Sequence, residues 1–127
     1  MKDFCIEATE ATGNLALIGE ILGAAGVNIG GLSLTSFEER QIIHFIVEDA
    51  ETASRVLENA SIQVKEISEV YILDKDKKGV TGRPGSFGGI CRLLADHGIT
   101  VRFAYPAENN RFVFGVDQVD RVRELLG

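Results

Sequence analysis

The chain of 127 residues has the length of one ordinary domain or of two very small ones. Hydrophobic residues make up 45% of it and charged residues 25%, which indicates a folded globular protein and excludes a disordered one. No apolar run approaches the roughly 18 residues that a membrane-spanning helix requires. The formal net charge of -6 disfavours general binding to nucleic-acid phosphates. With two cysteines and no N-terminal signal pattern, we expect a cytoplasmic protein with reduced thiols.

Glycine is unevenly distributed, because 12 of the 14 glycines fall within residues 13–31 and 79–98. A shift of 72 residues aligns Gly13-Asn14-Leu15 with Gly85-Ser86-Phe87 and Gly26-Val27-Asn28-Ile29 with Gly98-Ile99-Thr100-Val101. After a slip of three residues, matching apolar alternation follows in both halves. The sequence therefore predicts an internal duplication.

The first repeat has the pattern of six elements in chain order. It predicts a strand over 3–8, a helix over 14–25, strands over 27–37 and 41–48, a helix after Asp49, and β structure over 61–73. Gly26 is expected to end the first helix as its C-terminal cap. Asp49 is expected to cap the second helix, with Ala53, Val56, Leu57 and Ala60 facing inward.

The second repeat predicts a helix over 87–97, strands over 99–106 and 111–116, and a helix over 117–126. The run over 61–74 is long enough for two short strands, one in each repeat, and the polar segment 74–83 is expected to be flexible. The predicted fold class is α+β: ferredoxin-like βαββαβ units in tandem, each an antiparallel sheet with helices on one face. We place the units at 1–66 and 67–127, the second without its own last strand.

The order of the predicted elements resembles an ACT domain. It consists of a strand, a glycine turn, an amphipathic helix that ends in Gly-(Val/Ile)-(Asn/Thr)-(Ile/Val), two strands and a helix. The segments Gly26-Val27-Asn28-Ile29 and Arg83-Pro84-Gly85-Ser86-Phe87 stand where the short motifs of that family would. The whole chain is similar to a small stand-alone tandem ACT protein. The resemblance implies a regulatory protein that binds a small ligand, an amino acid above all, at interfaces between paired domains.

The candidate ligand-binding residues lie at the two glycine turns and at the start of the following strands. A helix N-terminus offers unpaired N–H groups and partial positive charge to a carboxylate, and a glycine lets a ligand approach the backbone. Asn28 and Arg83 are the polar and cationic groups best placed to join such a site; the alternative is a solvated side chain at each position. The candidates are Thr12, Gly13, Asn14, Leu15, Asn28, Ile29, Arg83, Gly85, Ser86, Phe87 and Thr100.

Two further features suggest contacts of the folded units. Gly88 and Gly89 fall in the first turn of a predicted helix, where glycine lowers stability by about 1 kcal/mol each, so close packing or a ligand across the helix would explain them. Ile42, His44 and Ile46 share the strand face that should be polar, which predicts a covering partner and, with the missing strand, a homodimer. Cys5 and Cys91 fit packing positions.

No catalytic set and no metal or cofactor motif is present in the sequence, so we expect a non-enzymatic protein without cofactors. An acyl phosphatase on the same layout would need a nearby asparagine besides Arg83. An RNA-binding module would need aromatic residues on the outward faces of the strands that contain Ile42 and Val113. A purely structural interaction module stays open as an alternative, and an enzyme regulated in trans is a possible partner.

Overall fold

The computed structural model describes residues 1–9 and 14–127. The chain divides into two compact units, Met1–Ser68 (unit 1) and Glu69–Gly127 (unit 2). Both are built from antiparallel strands and helices, so the predicted α+β class is confirmed. No helix of the described ranges is both long and apolar enough to cross a bilayer.

Unit 1 contains a four-stranded sheet in the order β2–β3–β1–β4. Its elements are β1 (Lys2–Ala8), α1 (Asn14–Ala24), β2 (Gly31–Phe37), β3 (Arg40–Val47), α2 (Ala50–Asn59) and β4 (Glu66–Glu69). The strand β3 pairs antiparallel with β1 on one side and with β2 on the other. Asp49 caps α2 as predicted, because its side chain accepts a hydrogen bond from the Thr52 amide over 3.0 Å.

The core of unit 1 lies between the sheet and its two helices. Alternate strand residues and the apolar stripe of each helix meet there: Phe4, Ile6, Ile18, Leu22, Ile43, Phe45, Val47, Ala53 and Leu57. The rings of Phe4 and Phe45 stack with centroids 5.4 Å apart. Both helices therefore cover the same face of the sheet, and the opposite face is called the outer face below.

Unit 2 contains a three-stranded sheet in the order β5–β7–β6. Its elements are β5 (Tyr71–Asp74), α3 (Ser86–Asp96), β6 (Val101–Ala107), β7 (Arg111–Val116) and α4 (Val119–Leu126). This order corresponds to β1–β3–β2 of unit 1, and no counterpart of β4 occurs in unit 2, where every residue is described. Its core joins strand and helix residues in the same way, namely Tyr71, Leu73, Leu94, Ile99, Phe114, Val116 and Val122.

The first helix of each unit ends in the same way, which supports the duplication. Gly26 and Gly98 have φ angles of 74° and 70°. The following amides, of Val27 and Ile99, donate to carbonyls five residues back at 2.9 and 3.0 Å. This arrangement is a Schellman cap, for which glycine is the preferred residue.

These caps also explain where the predicted boundaries are wrong. The strands were expected from residues 27 and 99, but they begin at Gly31 and Val101, since the amides at 27 and 99 belong to the helix caps. Asn28 thus precedes β2 instead of opening it.

The last helix begins at Val119 and not at residue 117. Ala60, expected to face inward, is the exposed C-cap of α2.

Candidate ligand-binding site

The turn before α3 is ordered by local hydrogen bonds. Gly85 occupies the N-cap position with φ of 84° and supplies no side-chain capping bond. The Ser86 amide donates to the Arg83 carbonyl over 3.1 Å, and the Ser86 hydroxyl donates to the Val80 carbonyl over 3.2 Å. The first N–H groups of a helix have no partner inside it. Without a capping side chain, the N-terminus of α3 stays accessible to an anion.

A cavity of about 410 Å³ adjoins this turn. Arg83, Gly85 and Ser86 form its polar side, and apolar side chains from the turn and from α3 form the rest. Its lining residues are Val80, Arg83, Pro84, Gly85, Ser86, Gly89, Ile90 and Leu93. The structure thus brings three of the predicted site residues together in one concave place, here called the α3 cavity.

Gly88 and Gly89 do not serve close packing within the chain. A Cβ atom added at either position would meet no atom within 4 Å. Close packing within the chain, one of the two explanations for these helical glycines, is therefore wrong. Only Gly89 lines the α3 cavity, so its missing side chain leaves space there, whereas Gly88 lies outside the lining.

Phe87, another predicted site residue, is not part of the cavity lining. Its ring is 50% exposed and packs against aromatic residues of β7. The ring centroids lie 5.0 Å from that of Phe112 and 6.0 Å from that of Phe114. Phe87 therefore anchors the first turn of α3 to the sheet of unit 2.

The polar segment before the α3 turn is joined to the rest of unit 2 by side-chain hydrogen bonds. Asn110 donates from Nδ2 to the Asp76 carboxylate over 2.9 Å and to the Thr81 hydroxyl over 2.8 Å. Thr81 also donates to Asp76, and Arg83 donates to the Gly79 carbonyl over 3.1 Å. The hydrogen bond from Thr81, followed by that from Asn110, lowers the pKa of the Asp76 carboxyl.

The structure describes four of the six predicted site residues of unit 1. Thr12 and Gly13 lie outside the described residues. Asn14 donates to the Gln41 side chain over 3.4 Å, and Leu15 is 42% exposed. Asn28 is exposed, and Ile29 packs against the unit 1 core.

Thr100 uses its backbone to hold the start of α4. Its amide donates to the Asp117 carboxylate over 3.1 Å, and its carbonyl accepts from the Asp117 amide over 3.3 Å. Thr100 is not among the residues that line the α3 cavity.

The outer face of the unit 1 sheet is partly closed in the single chain. Ile46 is fully buried, and His44 hydrogen-bonds through Nδ1 to the Asp3 carboxylate at 2.9 Å. Cys5 lies directly opposite His44 in the β1–β3 register. Burial, together with the nearby Asp3 charge, raises the pKa of the Cys5 thiol, which is the opposite of what a nucleophile requires. Burial also raises the pKa of Cys91.

One group of functional candidates could not be predicted from the sequence. In unit 1, Glu7 meets Arg40 and Lys65, residues that are distant in the sequence. No local sequence motif predicts that these three side chains interact. Within the described ranges, no cluster of three or more His, Cys, Asp or Glu side chains could hold a metal ion.

Solved structures share this fold over nearly the whole chain. The protein BT0572 from Bacteroides thetaiotaomicron aligns with a TM-score of 0.81 at 22% identity, over 98% of this chain and 85% of that one. The regulatory subunit of aspartate kinase from Thermus thermophilus aligns with a TM-score of 0.67 at 14% identity, over 98% and 87%. The corresponding subunit from Thermus flavus gives a TM-score of 0.69 at 15% identity, over 98% and 88%.

No family model and no curated protein sequence matches the chain. At these identities the structural likeness shows the fold alone, which is an α+β fold of antiparallel sheets and helices. The ferredoxin-like layout expected from the sequence is thereby confirmed.

Proposed function

We propose that this protein is a regulatory protein that binds a small ligand, an amino acid, in the α3 cavity. The observation that supports the proposal most strongly is the position of the cavity. It lies at an uncapped helix N-terminus, with Arg83 on its polar side and apolar residues on the other. The structural likeness to regulatory subunits of aspartate kinase is consistent with a regulatory role.

The chemistry of the α3 cavity fits an α-amino acid with an apolar side chain. A ligand carboxylate would accept hydrogen bonds from the first amides of α3 and from the Arg83 guanidinium. The ligand side chain would pack against Val80, Ile90 and Leu93. The volume of about 410 Å³ lies within the range of small-molecule sites in proteins.

A regulatory role further requires that ligand binding affects a partner protein. We propose a homodimer and a cytoplasmic enzyme regulated in trans, without catalysis by the chain itself. The dimer proposal now rests on the three-stranded sheet of unit 2, since the burial of Ile46 in the single chain removes part of the apolar-face argument. Sedimentation at micromolar concentration tests it, and a monomer would count against it.

The ligand is tested by a thermal-shift panel of all twenty amino acids at 10 mM. A ligand that binds the native state with a Kd of roughly 1 mM stabilises it by about 1.4 kcal/mol and raises the Tm by several degrees. Arg83→Gln should abolish that shift. Arg92→Gln is the matched control, because Arg92 lies on α3, is highly exposed and does not line the cavity.

A second pair of variants tests the location of the site. Gly89→Leu and Gly88→Leu add the same side chain to adjacent helical positions where a Cβ meets no atom within 4 Å. Only the first places it in the α3 cavity, so only the first should remove the ligand-induced rise in Tm. No shift with any amino acid, or equal loss in both variants, would contradict the proposal.

A further inference from the structure

A three-residue ionic cluster lies at the end of β1 in unit 1. Lys65 Nζ donates to Glu7 Oε1 over 2.8 Å, and the Arg40 guanidinium donates to Glu7 Oε2 over 3.2 Å. The Glu7 side chain is 27% exposed, whereas those of Arg40 and Lys65 are 62% and 58% exposed. The hydrogen bond between Glu7 and Lys65 lowers the pKa of the Glu7 carboxyl and raises the pKa of the Lys65 amine. The two groups are therefore ionised at neutral pH.

The backbone places the two cations on opposite sides of Glu7. On one side, the antiparallel register sets Ala8 opposite Gln41, which brings Arg40 to the end of β1. On the other side, the Lys65 amide donates to the Cys5 carbonyl over 2.8 Å and holds the chain before β4 alongside β1. The positions of both cations thus follow from the sheet pairing.

This cluster borders a cavity of about 310 Å³, here called the β1 cavity. Its lining combines two cations and one carboxylate with a hydroxyl and an amide: Glu7, Ala8, Thr9, Arg40, Gln63, Val64 and Lys65. These described lining residues have a formal charge of +1. By contrast, residues 1–65 as a whole contain 4 basic and 10 acidic side chains, a net charge of -6. Half of the basic residues of that region are therefore concentrated at one cavity.

We propose that the β1 cavity binds a small organic anion through its carboxylate. Glu7 takes one hydrogen bond from each cation, and both cations have donors beyond these: Lys has three N–H groups and Arg has five in a planar fork. A ligand carboxylate would accept hydrogen bonds from the remaining donors of Arg40 and Lys65 and would balance the formal charge of the described lining residues. Thr9 and Gln63 would hydrogen-bond a further polar group of the ligand.

The β1 cavity shares no lining residue with the α3 cavity, and the inference does not depend on the proposed function. It is tested with the full ¹⁵N-labelled chain titrated with sodium acetate and sodium succinate up to 20 mM. Ionic strength is held constant with sodium chloride, because the exposed charges are sensitive to salt screening. We expect saturable shifts of the backbone amide signals of Thr9, Gln63 and Lys65.

Charge-removing variants show whether the cations act as predicted. Arg40→Gln and Lys65→Met should each weaken binding about tenfold, the usual effect of losing a charge-assisted hydrogen bond. Arg55→Gln is the control, because it removes another exposed cation of the acidic half that does not line the cavity. Arg83→Gln should leave these amide shifts unchanged. Linear, unsaturated shifts or equal weakening by Arg55→Gln would overturn the inference.

Discussion

Two glycines three residues apart at the start of α3 should respond to alanine with opposite signs. Gly85 has φ of 84°, in the left-handed region, whereas Gly88 lies within the helix. An added Cβ meets no atom within 4 Å at either position, so backbone conformation alone decides the outcome. Gly85→Ala should lower the free energy of unfolding by about 1–2 kcal/mol. Gly88→Ala should raise it by about 0.5–1 kcal/mol.

The two variants are compared by urea unfolding, followed by circular dichroism. They should differ by roughly 1.5–3 kcal/mol in the transition that includes α3. Gly85→Asn provides the control, since asparagine tolerates the left-handed region better than alanine and should lose less stability. Gly85→Ala as stable as the natural chain, or Gly88→Ala less stable than it, would refute the assignment of these backbone conformations.

Two other changes probe unit 2. A Cβ at Gly115 would clash with three ring atoms of Phe103, so Gly115→Ala should lower stability by about 1–3 kcal/mol, and an added Phe103→Leu should restore most of it. Failure of that rescue in thermal unfolding would refute the clash. The lowered pKa of Asp76 means that its stabilising contribution is complete above about pH 3.9 and is lost as the pH falls through the folded-state value. The stability difference between the natural chain and Asp76→Asn should therefore shrink below about pH 4, and a constant difference would contradict this account.

Local signals in the sequence were sufficient for the elements and their order. The alternation in β1, the helical spacing in α1 and the cap at Asp49 depend only on residues close in the chain, and the structure contains each of them. The duplication was also inferred from sequence, and Gly26 and Gly98 have similar positive φ angles. Strand starts were misplaced by up to four residues, because the Schellman caps use amides that the β-rich pattern assigned to strands.

The candidate site was predictable only in part. Arg83, Gly85 and Ser86 adjoin in sequence and were found together, whereas the apolar side of their cavity includes residues one and two turns further along α3. The hydrogen bonds of the polar segment before α3 could not be predicted locally, because they depend on Asn110, which lies 34 residues from Asp76.

What the sequence determined by itself is the pair of repeats, their elements and the glycine turns, since these arise from backbone preference and hydrophobic periodicity over short distances. Only the tertiary structure decided which distant side chains meet. Glu7 lies 33 residues from Arg40 and 58 from Lys65, and sheet pairing brings all three to one cavity. Such meetings depend on strand register and chain reversal, which no local pattern of residue types encodes.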